Sequence, residues 1–86
     1  MRIYIGQPFK LKVNGIEMGP LALAKISEDK LMILNHQTLD WFSDKLIHAY
    51  FDDLSNPCWY IDTDSFEWRA YLMSDWGRTD IDVEII

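Results

Sequence analysis

Eighty-six residues carry fourteen acids against eight bases, a formal charge of −6, and 49% of them are hydrophobic, with four residues each of Trp, Tyr and Phe. This length supports one domain, and the many rings offset its poor surface-to-volume ratio, which excludes a disordered chain. The charge disfavours contact with nucleic-acid phosphates or anionic lipid, the lone Cys58 excludes an internal disulfide, and no apolar run approaches the roughly 20 residues of a membrane span.

In chain order, Ile3-Tyr4-Ile5 after Arg2 is far too short for a signal peptide, so a soluble, cytoplasmic protein is expected. The clearest local signal is Asn14-Gly15, which supplies the two positive-φ residues of a type I′ turn. Before it, Phe9, Leu11 and Val13 alternate with Lys10 and Lys12, predicting a strand over 8–13 that enters a hairpin. The return strand, Ile16 to Met18, is expected to stop at Gly19-Pro20. Residues 21–34 give no clean helical stripe and read as two short strands with Ser27-Glu28-Asp29-Lys30 as the polar turn between them.

Leu39, Phe42, Leu46, Tyr50 and Leu54 then recur at three- and four-residue spacing, capped by Thr38 or Asp40, and predict a helix over about 39–54 that ends at Asn56-Pro57. Cys58–Asp62 and Glu67–Met73 read as strands around a Thr63-Asp64-Ser65 turn. They leave Trp59 and Trp68 facing inward and Tyr60 and Tyr71 outside. After a loop over Ser74–Arg78, Ile81, Val83 and Ile85 alternate with Asp80, Asp82 and Glu84 as a half-buried last strand. The fold class is α+β: a small, mainly antiparallel sheet of about five to six strands in a single domain, residues 1–86, with one helix packed on one face.

The chemistry is divided along the chain. Up to Leu39, three acids are set among five bases; from Asp40 onward there are eleven acids against three bases, and all four tryptophans lie in this half. Carboxylates are interleaved there with large rings, and such rings favour protein interfaces. Asp80, Asp82 and Glu84 share one strand face at about 6.8 Å spacing. They could stand in for every second phosphate of a DNA strand, which rises about 3.4 Å per step. Asp62 and Asp64 offer a second row. An acidic row is equally what keeps an exposed edge strand from pairing with other chains. Trp76, beside Asp75, either folds back over the sheet edge or anchors a partner. Partner-binding residues are therefore expected among Asp62, Asp64, Asp75, Trp76, Asp80, Asp82 and Glu84.

Nothing here carries a catalytic signature. Cys58, His36 and His48 sit in no pattern characteristic of nucleophilic catalysis, and the glycines are too scattered for a phosphate cradle. Asp62-Thr63-Asp64-Ser65-Phe66-Glu67 lacks the third oxygen ligand and the glycine of a calcium loop. No catalytic residue, cofactor or metal is expected. Size, acidity and the lack of targeting signals suit the class of small inhibitors made by phages and other mobile elements. The expected function is a non-enzymatic module that docks its acidic, aromatic half on a basic, nucleic-acid-binding surface of a partner enzyme in the host. The alternative is an assembly subunit, a homodimer for example, in which the basic half of one copy meets the acidic half of the next.

Overall fold

The computed structural model describes residues 1–53, 58–77 and 81–86, and its larger sheet grows from the Asn14-Gly15 turn. Both residues take positive φ, 54° and 79°, and strand β2 (Phe9–Val13) folds back on β3 (Ile16–Ser27) as a hairpin. The expected stop at Gly19-Pro20 does not occur. Phe9 faces Leu21 and Leu11 faces Met18, so β3 carries one extra residue past β2 as a bulge and continues to Ser27. Gly19 permits this with a φ of 149° and no Cβ to strike Lys10.

The polar turn at 28–29 then returns the chain as β4 (Lys30–Asn35), which pairs with the short β5 (Ile47–His48). The last strand, β8 (Asp82–Ile85), pairs with β2 from the other side, giving the antiparallel order β5-β4-β3-β2-β8. A second antiparallel sheet has the order β1-β7-β6, with β1 at Arg2–Tyr4, β6 at Tyr50–Asp52 and β7 at Cys58–Asp62. With one helix among the described residues, α1 (Phe66–Trp76), this is the α+β class with antiparallel strands that the sequence predicts. The described strands number eight, however, and divide between two sheets, where five to six in one were expected.

The core lies where the two sheets and the helix meet. The larger sheet gives Phe9, Leu11, Leu21, Leu23, Leu31, Ile33 and Ile47, the smaller gives Ile3 and Ile61, and α1 gives Trp68, Tyr71 and Leu72. Alternation decides each contribution, since a strand's successive side chains point to opposite faces. Each fully buried large side chain contributes roughly 1.5–3 kcal/mol relative to exposure. In the last strand region Ile81 is buried and Val83 half-buried as expected, but Ile85, at 39% exposure, lies at the open margin.

The predicted helix over 39–54 is not formed; residues 47–48 and 50–52 are strands instead. Polar side chains capture the backbone at its intended start. Asn35 Oδ1 accepts from the N–H groups of Gln37 and Thr38, Leu39 takes a left-handed φ of 64°, and Ser43 Oγ accepts from Lys45 N–H. Beyond that, Ile47 and Ala49 are buried while His48 and Tyr50 are only half-buried, so a two-residue period coexists with the helical one. The exposed edges of β4 and β7 select the former by pairing with Ile47–His48 and Tyr50–Asp52. Leu46, assigned to the helix core, is 51% exposed. Leu54 and Asn56-Pro57 lie outside the described residues.

The helix forms where a strand and a loop were expected. Ser65 caps it, its hydroxyl accepting from Trp68 N–H at 3.2 Å, and Gly77 ends it in a left-handed conformation with its N–H on Met73 O. Trp68, Ala70 and Leu72 also alternate, which imitates a strand; the buried set Trp68, Tyr71 and Leu72 has helical spacing instead. Tyr71 is therefore inside and not outside. Burial pushes its hydroxyl up from the usual 10.0 to about 12. Because the neutral form is favoured only in the folded state, the stabilisation is full below pH 10 and is lost as pH rises toward 12. Absorbance titration at 295 nm should show one tyrosine ionising last, together with unfolding, and Tyr71→Phe should remove that step.

Candidate functional site

The outer face of the small sheet is built by a pattern repeated three times in the sequence: Arg2 and Tyr4 on β1, Tyr50 and Asp52 on β6, Tyr60 and Asp62 on β7, each pair two residues apart. Two-residue spacing puts both members on one face. Register then aligns the rings, because Tyr60 faces Tyr4 on one side and Tyr50 on the other. The three tyrosines form a row with centroids 5.4 and 5.8 Å apart, extended by His48, whose ring meets Tyr50 edge-on at 5.2 Å.

Carboxylates hold this row in place. Tyr4 donates its hydroxyl to Asp52 at 2.9 Å and Tyr50 donates to Glu67 at 2.6 Å. The second bond raises the Tyr50 pKa and lowers that of Glu67. Asp62 is also held below the usual carboxylate range, first by the N–H of Asp64 on its oxygen at 2.9 Å. Glu67 and Asp62 therefore stay negative at neutral pH. The Arg2 guanidinium lies over the Tyr60 ring, 4.5 Å from its centroid, and bonds Asp52 at 3.3 Å and Tyr4 Oη at 3.4 Å. The face thus presents π surface and negative charge to a planar cation.

Of the residues expected to bind a partner, Asp62 sits on this face and Asp64 follows it in the turn, both within ion-pair distance of the Met1 amine. Asp64 and Asp82 line one cleft of about 360 Å³ with Trp68, Arg69, Leu72 and Val83. Glu84 is on the outer face of β8, paired with Lys10 at 3.3 Å. Asp75 is turned inward, accepting from Ser43 Oγ at 2.7 Å and Tyr71 Oη at 3.1 Å. Trp76 lies in the last turn of α1 and folds back against Phe42 and the core. These last two residues hold α1 to the segment before β5. Asp80 lies outside the described residues.

Arg2, Tyr4, Tyr50, Asp52, Tyr60 and Glu67 were not among the expected site residues. The signal was the threefold pairing of Tyr with a charge two residues away, masked at Tyr50 by the helical reading. Part of the charge contrast between the halves is met within the chain, because Lys10 and Lys12 of β2 face Glu84 and Asp82 of β8. His36, His48 and Cys58 stand on separate elements, with His48 Nδ1 near Lys30 and Asp29. Among the described residues, no group of three or more His, Cys, Asp or Glu is placed to hold a metal, and no helix is long and apolar enough to cross a membrane. No protein-family model matches the chain, and comparison with curated proteins and with solved structures returns no match.

Proposed function

We propose that the chain is a non-enzymatic protein-binding module that docks its tyrosine row, with Asp52, Asp62, Asp64 and Glu67 around it, on an arginine-bearing surface of a protein partner. The observation that carries this is the position of Arg2: the face already holds a guanidinium by stacking it on Tyr60 and bonding it to Asp52. Arginine fits such a site better than lysine, because its planar group stacks and bonds at once. Grooves that bind nucleic acid are rich in such side chains. Occupying one would make the protein an inhibitor of the enzyme that owns it.

Binding of a nona-arginine peptide, compared with nona-lysine by calorimetry at low and physiological salt, tests the reading. Nona-arginine should bind several-fold tighter. Tyr60→Ala should remove that preference, since stacking is worth about 0.5–2 kcal/mol, while Asp62→Asn with Glu67→Gln should weaken both peptides and flatten the salt dependence. Equal binding of the two peptides, or a preference that survives Tyr60→Ala, defeats the proposal. Light scattering on the free protein checks self-assembly through the charged halves, which would give an oligomer that dissociates as salt is raised.

A further inference from the structure

The second feature is the margin of the larger sheet. Strand β8 pairs with β2 on one side and is the last in the strand order. The phase of that pairing is set by Ile86 N–H, which donates to Pro8 O at 3.2 Å. In an antiparallel ladder, hydrogen-bonded pairs alternate with non-bonded ones. The pairs Glu84–Lys10 and Asp82–Lys12 are thus in the bonded phase, and the N–H and C=O groups of Val83 and Ile85 point the other way, toward the side on which no strand among the described residues pairs with β8. Such a row is a template for another strand. Beside it opens the cleft of about 360 Å³, with Ile81, Asp82 and Val83 on one wall and Trp68 and Leu72 on the other.

We propose that β8 takes up an extended segment of a protein partner as a ninth strand, and that this segment alternates apolar and basic residues. This site goes beyond the tyrosine face: it is centred on the edge of β8, and shares with that face only Asp64 and helix α1, of which it uses a different stretch. The occupant's chemistry is already displayed on the inner side of β8. Strand β2, Phe-Lys-Leu-Lys-Val, places Lys10 and Lys12 opposite Glu84 and Asp82 and its apolar residues toward the core. An incoming strand of the same pattern would set its bases against the other flank of these two acids and its apolar residues toward Trp68 and Leu72. A second copy's β8 is a poor occupant, since like charges directly opposite are destabilising. The acids therefore exclude acidic strands and admit basic ones.

The test uses the full chain and a blocked synthetic peptide of its own residues 8–13, Pro-Phe-Lys-Leu-Lys-Val, with amide hydrogen exchange read by NMR. Saturating peptide should slow exchange at Val83 and Ile85, about tenfold or more, and leave Asp82 and Glu84, which are bonded already, nearly unchanged. A peptide with Glu in place of both lysines should bind at least about tenfold more weakly; this change cannot unfold the protein. Asp82→Lys, which leaves one acid and one base on the edge, should abolish the preference, and Tyr60→Ala should leave binding unaltered, whatever becomes of the tyrosine face. Unchanged exchange at Val83 and Ile85, equal binding of the acidic peptide, or loss of binding in Tyr60→Ala overturns the assignment. So does concentration-dependent protection of the two amides in the free protein, which would give the edge to a second copy.

Discussion

Phe9→Ala is expected to lower stability by about 3–5 kcal/mol, the cost of emptying a fully buried aromatic site. Phe9 has no exposed surface and sits on the second strand from the sheet margin, with Leu21 opposite on β3 and Ile85 opposite on β8. A domain of this length holds roughly 5–10 kcal/mol in all. The variant should therefore melt about 15 °C lower or more, or fail to fold at 25 °C. Leu46→Asp is the matching control. A helical reading of 39–54 makes it fatal; the observed position, half in solvent, makes it tolerable to within about 0.5 kcal/mol. Equal losses for the two, by calorimetry or urea titration, would contradict this assignment of the core.

Gly19→Ala is the second large effect expected. An added Cβ would lie 2.9 Å from Lys10 Cβ, 3.1 Å from Phe9 O and 3.2 Å from Lys10 Cα, so it meets backbone that is itself anchored in β2. The φ of 149° adds backbone strain for any L side chain. Strain and overpacking together should cost about 2–4 kcal/mol. Gly15→Ala separates the two causes. Gly15 also has a positive φ, 79°, but nothing lies within 4 Å of its missing Cβ, so about 1 kcal/mol is expected there. If Gly19→Ala costs no more than Gly15→Ala, the strands do not close on the bulge as described, and the register from Phe9 to Leu21 must differ.

The sequence by itself determined the features that depend on a few neighbouring residues. Asn14-Gly15 specifies its turn because few other residues tolerate two successive positive φ values. A strand after the polar turn at 27–30, though not its observed bounds of Lys30–Asn35, was legible for the same local reason, as were Cys58–Asp62, the alternating last strand and the α+β class. Only the tertiary structure decided between periods that the sequence carried together. Residues 39–54 satisfy both a helical and a two-residue spacing, and free strand edges on β4 and β7 chose the second. Residues 66–76 satisfy both as well, and there the Ser65 and Gly77 caps, with a core open to Trp68, Tyr71 and Leu72, chose the helix. The site divides in the same way. The acids at Asp62, Asp64, Asp82 and Glu84 stood out as a local pattern, but the tyrosine row did not, because Tyr4, Tyr50 and Tyr60 come from three strands and become neighbours only through cross-strand register. Asp75 read as a surface group, and Trp76 as either a cover for the sheet edge or an interface anchor, until α1 turned both inward. A side chain's distance from its sequence neighbours is set by local geometry, whereas its distance from another strand is set by how the whole core closes.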